Sequence, residues 1–282
     1  MTFNPVAALN VIECKNIIST NDPKAVDLGS QTSSINDIFV KNLVDNNKTI
    51  NSIQKKNLIN LSNSQSFTTE DYFNSVGFKE YKSIDINGAY NSLQFDLNKN
   101  ISETYSYNEK YDLVINNGTG EHVFNQYALF LNFHNLTKLN GIMLNILPFI
   151  DWINHGFYNF NPIFFADLAA SNNYEIIKIS LANRDGAELK LNNENLSILF
   201  EQIKPNRNDS KFEKMIDIAK TKLGRNILLV VITRKLSDNM FKIPLQGKYL
   251  NDVINFKTDY NLQESGSATA ANQIADNNKR IN

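Results

Sequence analysis

A single cysteine, Cys14, stands among 282 residues. An internal disulfide framework and a thiolate metal cluster are therefore both excluded, which fits a reducing compartment. No apolar run approaches the ~20 residues that a membrane span needs. The start of the chain has no basic stretch followed by an apolar core, so no secretory signal is expected and the cytoplasm is the expected location. A formal net charge of −1 gives no bulk attraction to nucleic acid or to an anionic membrane, and neither is expected as a partner. Histidine is scarce as well, with three copies, so each one can be weighed separately. What the chain does have is 42 % hydrophobic and 20 % charged residues, enough to bury a real core. It carries no internal repeat and no convincing linker. One α/β domain over residues 22–261 is expected, preceded by a helical cover at 1–21 and carrying an insertion at about 33–80. The small, polar stretch 262–282 is expected to be disordered.

Short apolar strands alternate with helical patterns. Val6–Ile18 reads as a helix. Lys24–Gly29 (KAVDLG) is a β-type run, and Ile35–Val44 has apolar residues at helical spacing. Residues 45–66 are polar, with one possible helical piece near Ile53–Leu61; the pattern does not place them, and a mobile flap is one option. Thr69 is placed to cap a helix that Gly77 ends. Tyr81–Asp85 and Ser92–Asp96 read as the second and third strands, each ending on an acid. Tyr111–Ile115 is a buried fourth strand, followed by an Asn/Gly turn and a helix start carrying Glu121 and His122. A helix over Asn125–Thr137 precedes a turn at Asn140-Gly141 and a strand Ile142–Leu147 stopped by Pro148. Residues 149–161 form an aromatic loop, and Pro162 opens a helix to about Ser171. Tyr174–Leu181 and Asn226–Thr233 are strands on either side of an irregular region, with another element near Asn195–Ile203 and a helix Lys211–Leu223. Seven strands in this order imply a mostly parallel sheet with helices on both faces.

In such a sheet, ligands bind where the carboxyl ends of strands meet helix starts. Asp27-Leu28-Gly29, Asp85, Asp96 and Asn116–Gly118 all end strands on that edge and could surround an elongated ligand. Asp85 suits a ribose diol, Asp96 an adenine amine, and Gly29 a close backbone approach. Gly118-Thr119-Gly120 does not make a dinucleotide fingerprint. Position 123 is Val where a small residue is needed, and the next strand runs into Asn145 and Pro148 where an acid is needed.

As an ordered set, KAVDLGSQ, SIDING, QFDLN and YDLVINNGTGEHV resemble the class I S-adenosylmethionine (SAM)-dependent methyltransferases. GIMLNILP and NHGFYNFNP resemble their post-catalytic region, and YEIIKISL with NILLVVIT their closing antiparallel strands. The resemblance spans roughly residues 22–235. It departs at the first loop, where Gly29 is followed by Ser30-Gln31-Thr32 instead of further glycines. It departs again in the 56 positions from Gly29 to Asp85, about three times the family's usual gap. The resemblance implies a Rossmann-like seven-stranded fold with the last strand antiparallel. It also implies SAM as cofactor and a small-molecule acceptor methylated on O or N, a sugar being one example.

Cofactor contacts implied by the resemblance are Asp27, Gly29, Gln31, Asp85, Ile86, Asp96, Leu97, Asn116, Asn117 and Gly118. Gly29 would face the methionine end, Asp85 the ribose, Asp96 and Leu97 the adenine, and Asn116 and Asn117 the methyl group. His122 or His155 is the expected general base, with Glu121 orienting it, because imidazole titrates near neutral pH. Trp152, Tyr158 and Phe160 are candidate walls of an acceptor pocket. Glu121, His122 and His155 are also a possible donor set for a divalent metal. In the methyltransferases that the set resembles, a second Glu stands three residues before the first; here that position is Gly118, so no metal is expected. His134, late in a helix, is expected to be packed or capping.

Overall fold

The computed structural model describes residues 2–64, 66–191 and 210–246. The expected element near Asn195–Ile203 and the tail 262–282 lie outside the described residues. Seven strands form one sheet: β1 (Lys24–Leu28), β2 (Glu80–Ile84), β3 (Tyr111–Asn117), β4 (Thr137–Ile150), β5 (Tyr174–Ala182), β6 (Glu188–Lys190) and β7 (Ile227–Lys235). Their spatial order is β2-β1-β3-β4-β7-β5-β6. The pairs from β2 to β4 are parallel, whereas β7 runs antiparallel to both β4 and β5, and β6 antiparallel to β5. Strands β1 to β4 therefore all end on one edge.

Helices cover both faces of the sheet. On one side α1 (Pro5–Ile17), α2 (Asp37–Asn46), α3 (Ser52–Ser62) and α4 (Thr69–Val76) pack Val11, Val40, Leu58 and Phe73 over Ala25, Leu113, Leu144 and Val230. After the short α5 (Ile101–Tyr105), the other side carries α6 (Gln126–Leu136), α7 (Pro162–Asn172) and α8 (Ser210–Leu223). These set Phe130, Phe165 and Ala219 over Val26, Val114, Met143 and Leu229. The alternation along β7, with Leu228 facing one layer and Leu229 the other, is the period-2 pattern of a strand covered on both faces. Among the described residues no helix is long and apolar enough to cross a membrane.

The insertion between β1 and β2 is a three-helix layer. The helical piece is a docked helix and not part of a flap: α3 starts with a capping box between Asn51 and Gln54, and its Leu58 is fully buried. Asn51 and Gln54 satisfy each other's backbone amides and so supply the start signal that the polar composition hides. Ser92–Asp96 is not a strand either. It contributes one parallel bridge, Leu93 beside Ile84, because the chain turns straight into the Asp96–Asn98 turn. The seventh strand is instead β6, at the opposite edge.

Asn140-Gly141 does not separate the helix from the next strand. Tyr111 pairs with Thr137 and Leu113 with Ile142, so residues 138–141 bulge out of β4, with Asn140 at φ +62°. Nor does Pro148 stop that strand, since it pairs with Leu228. The ladder to β3 has already ended at Asn117 and Ile146. Ile146 directs its carbonyl to the β3 side, and so does the residue two further on. The N–H that proline lacks therefore falls where no partner strand waits.

If α3 is docked as observed, Leu58→Ala should cost about 2–5 kcal/mol in equilibrium urea unfolding. The exposed neighbour Ile59 (42 % accessible) should cost under about 0.5 kcal/mol on the same change. Equal, small effects would return this segment to a loosely attached flap.

Candidate functional site

The shared edge of β1 to β4 gathers most of the residues expected there. Gly29, just after β1, has φ +132°, and a Cβ there would collide with the Thr119 hydroxyl. Glycine is thus required both by conformation and by the approach of the β3 loop. One residue on, Ser30 donates its backbone N–H (3.0 Å) and its hydroxyl (3.1 Å) to Asp85 Oδ2. Asn87 N–H donates to Asp85 Oδ1 at 3.1 Å. The 56-residue separation is therefore closed by direct hydrogen bonds. A carboxylate has about four acceptor sites; three are in use here, and rotation of the Ser30 hydroxyl would free a second. Ile86, at the turn after β2, is 66 % exposed.

Asp96 stands beside this turn. The Leu93 amide donates to Ser83 O (2.8 Å) and the Asp85 amide to Leu93 O (3.0 Å), so the segment before Asp96 hugs the end of β2. Hydrogen bonds from the Asn98 backbone and side chain hold the Asp96 carboxyl below its usual range. Leu97, next in the chain, is buried.

At the end of β3 the residues split between the two faces. Asn116 lies on the α6 side, donates to Asn145 Oδ1 (3.1 Å) and accepts from Gly120 N–H (2.9 Å). Asn117 lies on the opposite side. Its Nδ2 donates to Gln31 Oε1 at 2.7 Å, and the Gln31 amide donates back to the Asn117 carbonyl. Thr69, at the start of α4, donates to the Gln31 carbonyl at 3.1 Å, so the inserted helices fix the first loop from outside. Gly118 (φ +67°) extends the ladder by donating to Ile146 O at 3.0 Å. Gln31 and Thr119 thus occupy part of the space that further glycines would leave open beside Gly29.

Several buried acceptors on this edge have no hydrogen-bond partner: both oxygens of Asp27, Asn117 Oδ1, and both oxygens of Glu121. Burial pushes the Asp27 carboxyl well above its usual range, and the charge of Asp85 adds to the shift. Burial likewise raises Glu121 to about 7.

Glu121 and His122 belong to a separate 3₁₀ turn, Gly120–His122, and not to the start of α6. That helix opens five residues after Glu121, with Asn125 as its cap. The aromatic loop folds back onto this turn. Phe157 and Tyr158 donate their amides to the Glu121 carbonyl at 2.7 and 3.3 Å. Gly156 lies so close that a Cβ there would sit 2.8 Å from Glu121 Cγ. His155 Nε2 is thereby brought 3.4 Å from Glu121 Oε1, and His122 Nε2 3.8 Å from the same oxygen. The two imidazole rings are 5.0 Å apart, edge to face. Burial lowers the pKa of both histidines, and His155 Nε2 has no hydrogen-bond partner. Glu121 therefore sits beside the two histidines without hydrogen-bonding either of them, unlike the orienting role expected of it.

Tyr158 and Phe160 line a cavity of about 340 Å³ with Gln126, Phe164, Asp167 and Gln246. Gln126 joins this cavity to the turn by donating to Gly120 O at 2.8 Å. Trp152 does not line it. Its indole N–H donates to Ile227 O (2.9 Å) and its ring packs in the core on the α1–α4 side. His134 bonds Tyr174 Oη (2.6 Å) and Asn239 O (2.9 Å), a packed residue as expected. The sequence reading missed Ser30, Thr119 and Asn145. Each acts through a loop or cross-strand contact, and none carries a local signal.

Removal of the Asp27 charge should expose its cost. The folded-state pKa is raised, so wild-type stability falls as pH rises from about 4, the unfolded value, toward the folded value. The slope is at most about 1.4 kcal/mol per pH unit. Asp27→Asn should lack that slope. The melting-temperature gap in its favour should widen from pH 4 upward, and a gap independent of pH would refute the buried, unpaired state.

No protein-family model matches the chain, and no curated protein matches it. Among solved structures, a SAM-dependent methyltransferase from Archaeoglobus fulgidus is 13 % identical over 81 % of this chain and 92 % of its own, with TM-score 0.43. TehB from Haemophilus influenzae is 12 % identical with TM-score 0.41; the match covers 80 % of this chain but only 61 % of TehB. An O-methyltransferase from a trans-AT PKS multienzyme of Brevibacillus brevis, in complex with S-adenosyl-L-homocysteine, is 12 % identical over 83 % and 73 % of the two chains, with TM-score 0.40. Likeness at this level assigns no residue a role. By its strand order, with β7 reversed between β4 and β5, the chain has a Rossmann-like mixed α/β fold.

Proposed function

We propose that the chain is a SAM-dependent methyltransferase that methylates an oxygen or nitrogen of a small polar molecule, a sugar being one such acceptor. The observation that carries this reading is the convergence of the Gly29–Ser30 loop on Asp85, beside buried acceptors that lack donors. The unpartnered Asp27 carboxylate and Asn117 Oδ1 fit a ligand end bearing a protonated amine. Asp85 retains acceptor capacity for a diol, and Asp96 lies at the adjoining turn for an exocyclic amine. These are the donor groups of SAM in their order along the molecule. When bound, SAM supplies an electrophilic methyl group.

The chain's part in the reaction is to position the reactants and to handle a proton. The cavity beside Tyr158 and Phe160 holds the acceptor against apolar rings, with Gln126, Asp167 and Gln246 as polar groups in its lining. His122 and His155, whose pKa values burial lowers, are uncharged at neutral pH. Either can accept the proton that the acceptor loses as its O–CH₃ or N–CH₃ bond forms. Asn116, held by Asn145 and Gly120, lines the methyl side.

One observation favours a second reading, a binding protein that keeps the fold without the cofactor. Gln31 and Asn117 seal one another, and Thr119 fills the space beside Gly29. Calorimetry with S-adenosylhomocysteine separates the two. Binding by the wild type, weakened at least about tenfold (~1.4 kcal/mol) in Asp85→Ala, is expected. At ~100 times the dissociation constant the ligand should add about 2.7 kcal/mol of stability. No uptake by the wild type would favour the second reading. Equal uptake by both proteins would remove Asp85 from the ribose contact.

A further inference from the structure

We propose that Glu121, His122 and His155 form a site for one divalent transition-metal ion. Each presents one ligand atom, and the three atoms lie within 4.8 Å of one another. The two Glu121–histidine separations, 3.4 and 3.8 Å, are longer than the ~2.9 Å of a charged or neutral N–H···O bond. Two ligand atoms bound at about 2.1 Å to a tetrahedral ion stand roughly 3.4 Å apart. The two spacings from Glu121 thus suit a cation better than a shared proton, and ligation would draw the three atoms, now within 4.8 Å of one another, to within about 4.2 Å, twice the bond length. Both Glu121 oxygens and His155 Nε2 are buried and unpartnered, and Glu121 is wholly inaccessible. A bound cation would satisfy the acceptors that the protein leaves open.

The frame that holds these ligands is built from several elements. The Glu121 carbonyl accepts two amides of the loop that carries His155. Trp152, anchored on Ile227, places its ring 4.8 Å from the His155 ring. Gly156 allows the loop to close on Glu121. One carboxylate and two imidazoles without a thiolate select Zn²⁺, Fe²⁺, Mn²⁺ or Co²⁺ over Ca²⁺ or Cu⁺. The His122 side chain is 44 % exposed, which leaves coordination positions open to solvent or to an acceptor oxygen. Only the consequence rests on the methyl-transfer reading: such an ion would make an acceptor hydroxyl more acidic, and in the metal-loaded protein this replaces proton acceptance by His122 or His155, whose ring nitrogens are then ligated. Metal binding itself needs no SAM.

The test uses the whole chain, stripped with a chelator and titrated by calorimetry with Zn²⁺ and separately with Co²⁺, in the absence of SAM. One equivalent per chain is expected. Affinity should fall at least tenfold in each of Glu121→Gln, His122→Ala and His155→Ala, and the Co²⁺ ligand-field absorption should be lost with His155. The one other histidine is His134, whose ring nitrogens are both bonded, so a histidine-dependent signal has no second source. Circular dichroism checks each fold; if Glu121→Gln unfolds, the exposed His122 carries the test. No uptake by the wild type, or uptake unchanged across the variants, overturns the site. S-adenosylhomocysteine binding by the stripped protein is scored independently, so the failure of one proposal is not read as the failure of the other.

Discussion

Strand β3 is buried along its whole length, and this constrains everything at its carboxyl end. Polar groups there cannot turn to water, so each must find a partner inside the protein or go without. Asn116 finds two, Asn145 and the Gly120 amide. Asn117 finds Gln31 through its amide but leaves its own oxygen unpaired. Glu121, in the turn that follows, finds none for either oxygen. The site is the place where a central strand runs out of hydrogen-bond partners.

The parts of the fold written in local sequence were legible. Hydrophobic runs such as Tyr111–Val114 and Ile227–Ile232 announce covered strands, and Gly77 ends α4 as expected, although its cap is Thr68, in a capping box with Asp71, and not Thr69. What stayed hidden depends on contacts distant in sequence. The 3₁₀ turn at Gly120–His122 looks like a helix start until Asn125 proves to be the cap of α6. Ser92–Asp96 has the composition of a strand. It still makes a single bridge, because Phe95 stacks on Tyr105 and the Asp96–Asn98 turn redirects the chain. Pro148 reads as a stop, and only the end of the β3 ladder explains why it is tolerated in β4.

The same division runs through the site. Strand-end acids are visible as residues, and the closure of Asp85 on Ser30 follows from β1 and β2 being parallel neighbours. The company of Glu121, His122 and His155 was foreseeable as a list but not as a geometry. The folding of residues 151–161 back over the turn rests on two amide bonds to one carbonyl and on Gly156. No periodicity encodes such a closure. Trp152 has the chemistry of a pocket wall, yet its ring packs in the core on the α1–α4 side and its indole N–H donates to Ile227 O.

The unpaired carboxylates fall into two groups that sit differently in the sheet. Asp27 shares a face with Ala25, Leu113 and Ile115 beneath α1–α4, while Glu121 sits in the loop past the end of β3 under the aromatic segment. A folded domain of ordinary stability holds about 5–15 kcal/mol in all, and an uncompensated buried carboxyl costs a few of these whether it stays ionised or takes up a proton. Two such groups on one edge make the ligand-free protein less stable than its packing alone would allow. A ligand that brings an amine to the first group and a cation or proton to the second recovers that cost as binding free energy. On the proposed reading, stability and occupancy would be coupled on this edge: the polar groups that cost stability are the ones a ligand would engage.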